Sequence, residues 1–199
     1  MRTFVALDLD EAIRERIQKV VEQIRTTAPD ARWISSESLH VTLKFIGEQP
    51  DAVIPRIENL LRSIQAKPFQ VTFTGTGFFP TPRAARVLWI GIEGADALTG
   101  LAKNIDESLA KIGIPKEDRA FSPHLTLART RGGSGAPGRR KDDKFNRQFA
   151  RLQEFLATHP AAEFGTMTAR EFFLYRSQLS SKGSQYTKIA RFDLQPAIT

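Results

Sequence analysis

Apolar residues alternate with polar ones in several short stretches of this 199-residue chain and recur at helical spacing in others. Alternation predicts half-buried strands, and a period near 3.6 predicts amphipathic helices. The predicted strands are 2–8, 39–46, 69–78, 87–90, 124–127, 163–175 and 185–193. The predicted helices are 11–27, one that begins at Asp51, 96–112 and 142–157.

The order strand, helix, strand, strand occurs twice, and in both copies the first strand carries a histidine. The lag between the copies is 84 residues at His40 and His124 and grows later, mainly because of the Gly-rich stretch 132–138. This repeat indicates an ancient duplication. We therefore predict an α+β fold in which residues 1–199 form one domain of two pseudo-symmetric lobes. Each lobe should have an antiparallel sheet with helices on its outer face, around a central cleft.

The two histidine strands carry the same four residues, His-x-Thr-Leu, and use two of the three histidines in the chain. Successive side chains of a strand point to opposite faces. His40 and Thr42 should therefore share one face, with aliphatic residues behind them, and His124 and Thr126 should do the same. Symmetry would bring the two imidazoles to face each other across the cleft.

Two facing imidazoles suit in-line displacement at a phosphodiester. An imidazole titrates near neutral pH, so one histidine can remove a proton from the attacking water while the other protonates the departing alkoxide. Thr42 and Thr126 can bind non-bridging oxygens of the phosphate. Arg129, at the end of the second histidine strand, can hold the phosphate with its fork of donors. The pattern itself leaves open which histidine is the acid.

Other site chemistries are less consistent with these residues. The chain has no cysteine, neither motif is His-x-His, and no acidic residue lies within either motif, which argues against zinc. We therefore expect no metal and no cofactor. A relative that acts on a small cyclic phosphate, or an RNA- or nucleotide-binding module whose histidines only hold phosphate, stays as an alternative. Binding alone, however, does not require two titratable groups.

The net charge of +7 is concentrated next to the second motif, because residues 129–151 contain eight basic and two acidic residues. This segment, with Arg139-Arg140-Lys141 after the glycines, indicates a polyanionic partner such as RNA, although a solvated basic loop would look the same. Phe45 and Tyr186, together with Trp33 and Phe79, could stack on a base, although we favour packing in the core or at its rim for these four residues. Trp89 lies in the most apolar run and is predicted to be a core residue.

No apolar stretch approaches the length of a signal core or a membrane span. The lack of cysteine fits a reducing compartment. We therefore expect a soluble cytoplasmic monomer with no membrane partner.

These motifs resemble the 2H phosphoesterases, and most closely the RNA 2′,3′-cyclic phosphodiesterases, also known as 2′-5′ RNA ligases. The resemblance extends over nearly the whole chain and includes Trp33, Tyr186 and the segments Arg2–Leu7, Leu39–Gly47, Gly77–Pro80, Arg86–Trp89, Phe121–Arg129 and Phe172–Ser177. It implies a bilobal fold and a metal-independent site with His40 as proton donor and His124 as proton acceptor.

The implied activity opens a 2′,3′-cyclic phosphate at an RNA end to a 2′-phosphomonoester. Some members of the family also join tRNA halves through a 2′-5′ linkage, so tRNA fragments are possible substrates. The Gly-rich basic insert at 131–141 is longer than the family pattern, which leaves the identity of the substrate open.

Overall fold

A computed structural model describes residues 1–130, 147–159, 163–180 and 183–195. Strands and helices follow the predicted order along most of the chain. The strands are β1 (Arg2–Asp8), β2 (Arg32–Trp33), β3 (His40–Glu48), β4 (Phe69–Phe79), β5 (Val87–Glu93), β6 (His124–Arg129), β7 (Glu163–Ala169), β8 (Glu171–Ser180) and β9 (Gly183–Asp193). The helices are α1 (Glu11–Ile24), α2 (Ile54–Arg62), α3 (Asp96–Ala110) and α4 (Ala150–Thr158).

The strands form two antiparallel sheets, so the predicted α+β class is confirmed. The first sheet has the order β3-β1-β8-β9, and the second has the order β2-β6-β5-β4-β7. Each sheet contains strands from both halves of the chain: β8 and β9 complete the first sheet, and the second combines β2, β4 and β5 with β6 and β7. The histidine strands β3 and β6 belong to different sheets and contact each other.

One continuous apolar cluster lies behind both sheets, on the faces turned away from the histidines. Helix α1 begins after Asp10, whose Oδ1 accepts a hydrogen bond from the Ile13 amide at 2.9 Å, and its apolar stripe buries Ile13, Ile17 and Ile24. Helix α3 packs against β3 and β4. The core therefore fixes both histidine strands from behind. No helix in the described part of the chain is long and apolar enough to cross a membrane.

The single strand predicted at 163–175 is wrong, because the structure has two strands there. β7 pairs with β4 in the second sheet, whereas β8 pairs with β1 in the first. The change of sheet occurs at Arg170, whose carbonyl oxygen accepts a hydrogen bond from the Leu194 amide at 2.7 Å. β8 lies inside its sheet with both faces covered and buries Phe172–Tyr175 consecutively. Such a run shows no alternation that could mark the boundary.

The helix predicted at 142–157 begins later, at Ala150. Residues 147–149 form a turn, in which the Ala150 amide donates to the Arg147 carbonyl oxygen at 3.1 Å and Phe149 is fully buried. The rest of that prediction, the Gly-rich stretch and Arg139-Arg140-Lys141 lie outside the described residues. The two-residue strand β2 was missed, since a pair of residues has no period.

Candidate active site

Each histidine is the first residue of its strand, and both imidazoles are held in the same way. Nδ1 of His40 lies 2.7 Å from the carbonyl oxygen of Ser38, and Nδ1 of His124 lies 2.7 Å from that of Ser122. A carbonyl oxygen only accepts, so Nδ1 carries the hydrogen in both rings. In the neutral imidazole this leaves Nε2 as a proton acceptor. The duplicated motif therefore produces two rings with the same tautomer.

A β-bulge interrupts the first histidine strand at the leucine of the motif. Ala6 pairs with Thr42 and Val5 pairs with Lys44, so Leu43 is an extra residue without a partner on β1. An extra residue reverses the phase of the alternation beyond it.

The second histidine strand has a bulge at the equivalent leucine. Trp89 pairs with Thr126 and Leu88 pairs with Ala128, which leaves Leu127 as the extra residue. The two strands therefore share both their motif and its distortion.

The bulges bring Phe45 and Arg129 onto the histidine face of their strands. Strict alternation would place residues five positions after His40 and His124 on the core side. The reversed phase instead leaves Phe45 with 53% of its surface exposed and turns Lys44 inward, where only 3% is exposed. The predicted substrate-binding residues Phe45 and Arg129 thus occupy equivalent positions in the two halves.

The buried ammonium group of Lys44 has three partners. Its ammonium group lies 2.6 Å from a carboxylate oxygen of Asp106 and 3.6 Å from one of Glu117, and it donates to the Pro115 carbonyl oxygen at 2.6 Å. Asp106 also accepts a hydrogen bond from the Glu117 amide at 3.1 Å. This cluster connects β3 to α3 and to the segment that leads into His124.

Aromatic rings surround His40. The ring centroids of Phe4 and Tyr186 lie 4.8 and 5.1 Å from that of the imidazole, with Tyr186 edge-on, and Tyr175 lies at 6.0 Å. Phe4 and Tyr175 belong to a small apolar cluster on the histidine face of the first sheet, against which Tyr186 packs. His40 is therefore poorly hydrated although it borders the cleft.

Burial lowers the pKa of His40 to about 4. The positive charges of Arg129 and His124 lower it as well, whereas the Ser38 carbonyl and the Asp8 carboxylate raise it. β3 and β6 are in contact, so charges on the second sheet act on His40. The same ring is neutral at pH 7 when no ligand is bound.

The second imidazole has fewer aromatic neighbours. Phe79 meets the ring of His124 edge-on at 5.0 Å and also contacts Trp89 at 5.1 Å. Burial, followed by the charge of Arg129, lowers the pKa of His124 despite the hydrogen bond to the Ser122 carbonyl. Burial likewise lowers the pKa of Arg129, and the nearby Tyr186 opposes this shift.

The structure changes the expectation for Trp89 and places Trp33 against the core. Trp89, predicted as core, is half-buried on the histidine face beside Thr126. Its indole lies across Gly77, where a Cβ would overlap the ring. Trp33 packs against the core, which is the role favoured for it above, and its Nε1 donates to the Ala28 carbonyl oxygen at 3.1 Å. An apolar sequence run does not reveal which face of a strand an indole occupies.

A polar network holds the turn that precedes His40. Asp8 accepts a hydrogen bond from Arg14 at 2.6 Å and pairs with Lys188, and Arg14 also donates to the Ser36 carbonyl oxygen. Ser36 begins the short 3-10 helix 36–38, whose last carbonyl accepts the imidazole hydrogen. Sequence reasoning missed Asp8. Its one signal in the sequence is its position at the end of the first predicted strand.

The structure thus places the seven predicted site residues on the two histidine faces that meet where β3 and β6 come into contact. The first sheet contributes His40, Thr42, Phe45 and Tyr186, and the second contributes His124, Thr126 and Arg129. Among the described residues, no group of three or more histidine and acidic side chains is arranged to hold a metal ion.

A sequence model of the LigT-like phosphoesterases matches residues 7–89 and 90–186. The chain belongs to this family. The LigT-like assignment confirms the resemblance to the 2H phosphoesterases and accounts for the duplicated motif, since the family match itself falls into two consecutive segments.

Individual proteins align over nearly the whole chain. A protein of Methanothermobacter thermautotrophicus named RNA 2′,3′-cyclic phosphodiesterase is 32% identical over 98% of this chain and 99% of its own. The crystal structure of a Thermus thermophilus protein superposes with a TM-score of 0.78, at 28% identity and with both chains fully covered. E. coli LigT in complex with ATP superposes with a TM-score of 0.72, at 25% identity over 97% of each chain.

Proposed function

We propose that this phosphoesterase hydrolyses 2′,3′-cyclic phosphodiesters at RNA ends to 2′-phosphomonoesters, with His40 as proton donor and His124 as proton acceptor. Nε2 of His124 takes a proton from water as its oxygen bonds to phosphorus. The bond from phosphorus to the 3′ oxygen breaks, and that oxygen receives the proton of His40. The phosphate remains on the 2′ oxygen.

The main support for this proposal is that the two imidazoles have the same tautomer. Each ring is fixed at Nδ1 by a backbone carbonyl and keeps Nε2 for proton exchange, which is what a general acid and a general base on opposite sides of one phosphate require. The name of the M. thermautotrophicus relative supports the choice of substrate. The ATP complex of E. coli LigT supports a nucleotide ligand.

The low pKa of His40 must rise for this residue to act as the acid. A bound phosphodiester places a negative charge between the two rings and favours the imidazolium form. Asp8, directly opposite His40 on β1, acts in the same direction. His124 has no carboxylate among the groups that shift its pKa, which suits its role as the neutral base. Substrate binding is therefore coupled to uptake of a proton at His40.

The remaining predicted residues have separate tasks. Thr42 and Thr126 donate hydrogen bonds to non-bridging oxygens, and Arg129, whose charge acts on both histidines, offsets the charge that develops on the phosphate. Phe45 and Tyr186 contact the terminal base or ribose. All of these groups come from one chain, so the site is complete in a monomer.

Two proton-transfer groups suffice for this reaction, so we propose that it is independent of metal ions. Exhaustive chelation should leave the rate unchanged. Activity that is abolished by a chelator and restored by zinc or manganese would contradict the acid–base mechanism.

The decisive experiment uses a short RNA that ends in a 2′,3′-cyclic phosphate. Wild-type protein should convert it to a 2′-phosphate end, identified by the position of the phosphate in the product. A 3′-phosphate product would contradict the assignment. Binding without turnover would favour the nucleotide-binding alternative, and turnover restricted to mononucleotides would favour the small cyclic phosphate.

The same groups can run the reaction in the synthetic direction when an RNA 5′-hydroxyl replaces water. His124 would then deprotonate the hydroxyl, and the product would carry a 2′-5′ linkage. Incubation of two RNA halves at high concentration tests this second activity.

A further inference from the structure

Arg32 lies on the histidine face of the second sheet, at its edge. In the pairing of β2 with β6, Arg32 is opposite Arg129 and Trp33 is opposite Ala128. Residues directly opposite each other in an antiparallel pair share a face. Trp33 and the fully buried Ala128 face the core, so Arg32 and Arg129 both face the cleft.

This pairing places two basic residues directly opposite each other on adjacent strands. Like charges directly opposite in a sheet are destabilising. Within the described residues, the exposed Arg32 forms no ion pair or hydrogen bond that would offset the repulsion. An anion bound by Arg32 would offset it.

The position of Arg32 relative to the reacting groups indicates which anion it would bind. Arg129 is on the same strand as His124 and acts on both imidazoles, which assigns it to the cyclic phosphate under the proposed function. Arg32 is one strand further out, and β2 is the edge of the sheet. A second phosphate that approaches from this edge would meet Arg32 next.

We infer that Arg32 binds the internucleotide phosphate adjacent to the terminal cyclic phosphate, which makes the site selective for RNA ends over mononucleotides. This inference rests on the proposed function. A mononucleotide 2′,3′-cyclic phosphate has no such phosphate and gains nothing from Arg32.

The test compares Arg32→Gln with wild-type protein on two substrates, a short RNA with a 2′,3′-cyclic end and a mononucleotide 2′,3′-cyclic phosphate. Loss of one charged hydrogen bond should raise KM for the RNA by about tenfold and leave its kcat unchanged. Both constants for the mononucleotide should stay at their wild-type values. The slope of log KM against log salt for the RNA should fall by about 0.7, the value for one contact to a single strand.

Arg56→Gln is the matched control, because it removes the same charge from an exposed position on α2. It should leave the KM for the RNA and its salt slope unchanged. Arg32→Lys should retain most of the salt slope. The inference is overturned if Arg32→Gln leaves the RNA constants unchanged, impairs both substrates equally, or acts no differently from Arg56→Gln.

A binding measurement separates this inference from the proposed function. Fluorescence anisotropy with a 5′-labelled RNA that ends in a 2′-phosphate reports the Arg32 contact without turnover, and an unlabelled mononucleotide competes as the reference. If wild-type protein turns over neither substrate, the proposed function fails. The effect of Arg32→Gln on RNA affinity then decides the Arg32 contact by itself.

Discussion

Asp8 lies directly opposite His40 in the antiparallel pairing of β1 with β3. Its carboxylate therefore shares a face with the first imidazole, and its negative charge raises the pKa of His40 against the lowering by burial. Arg14 and Lys188 hold the carboxylate in place. The second histidine is opposite Gly91, which has no side chain to supply a charge. This difference between two otherwise matched motifs favours His40 as the acid.

Asp8→Asn should shift the alkaline limb of the kcat/KM profile to lower pH, because the imidazolium form of His40 loses a stabilising charge. At pH 7 we expect kcat/KM to fall by about two- to tenfold, where tenfold corresponds to a shift of one pH unit. The exposed Asp30→Asn is the control and should retain the wild-type profile. A lower kcat/KM with an unchanged alkaline limb of the pH profile would show that Asp8 only supports the fold.

His40→Ala and His124→Ala should each lower kcat by about 10²- to 10⁴-fold, the usual effect of one positioned proton-transfer group. The double variant should lose much less than the product of the two factors, since the residues act together. A substrate whose leaving group needs no proton should largely rescue His40→Ala and leave His124→Ala impaired. Rescue of His124→Ala instead would reverse the assignment.

The free energy of unfolding should depend on pH through His40. Its folded-state pKa of about 4 is below the ordinary value of 6.5, so only the unfolded chain takes up a proton between these values. The contribution of His40 to the free energy of unfolding should be fully present above about pH 6.5. It should decrease by about 3 kcal/mol as the pH falls to about 4, at about 1.36 kcal/mol for each unit of pKa difference. Urea unfolding at several pH values measures this.

His40→Gln removes the titrating group and should flatten the dependence of unfolding free energy on pH. The remaining slope in this window should include a contribution from His124, whose pKa is also lowered. Equal slopes for wild type and His40→Gln would contradict the low pKa of His40.

Asp106→Ala should destabilise the fold by about 3 kcal/mol in urea unfolding, because it leaves the buried ammonium group of Lys44 without its nearest carboxylate. Lys44→Met in the Asp106→Ala background should recover part of this loss, since the uncompensated charge is removed. Lys103→Met breaks an exposed pair with Glu107 at 4.0 Å and should cost less than about 0.5 kcal/mol. If the losses of free energy from Asp106→Ala and Lys44→Met simply add in the double variant, the two residues are not directly coupled.

Much of the fold could be predicted because strands and helices follow from the local spacing of apolar residues. Alternation identified the faces of His40, Thr42, His124 and Thr126, and helical spacing identified the buried stripe of α1. The resemblance added the family, which the comparisons confirm.

The two bulges could not be predicted, since an extra residue at Leu43 or Leu127 is defined by its partner strand. Sequence alternation therefore gives the wrong face for Phe45 and Arg129 and suggests an exposed position for Lys44. The aromatic ring of Phe45 and the guanidinium group of Arg129 nevertheless suggested a role at the site.

The interleaving of strands also has a consequence for biosynthesis. The rings around His40 come from β1, β8 and β9, so its surroundings require pairing between the beginning and the end of the chain. A nascent chain that carries both motifs still lacks the last two strands of the first sheet. The surroundings of His40 are therefore completed only after β8 and β9 have been synthesised, well after both histidine strands.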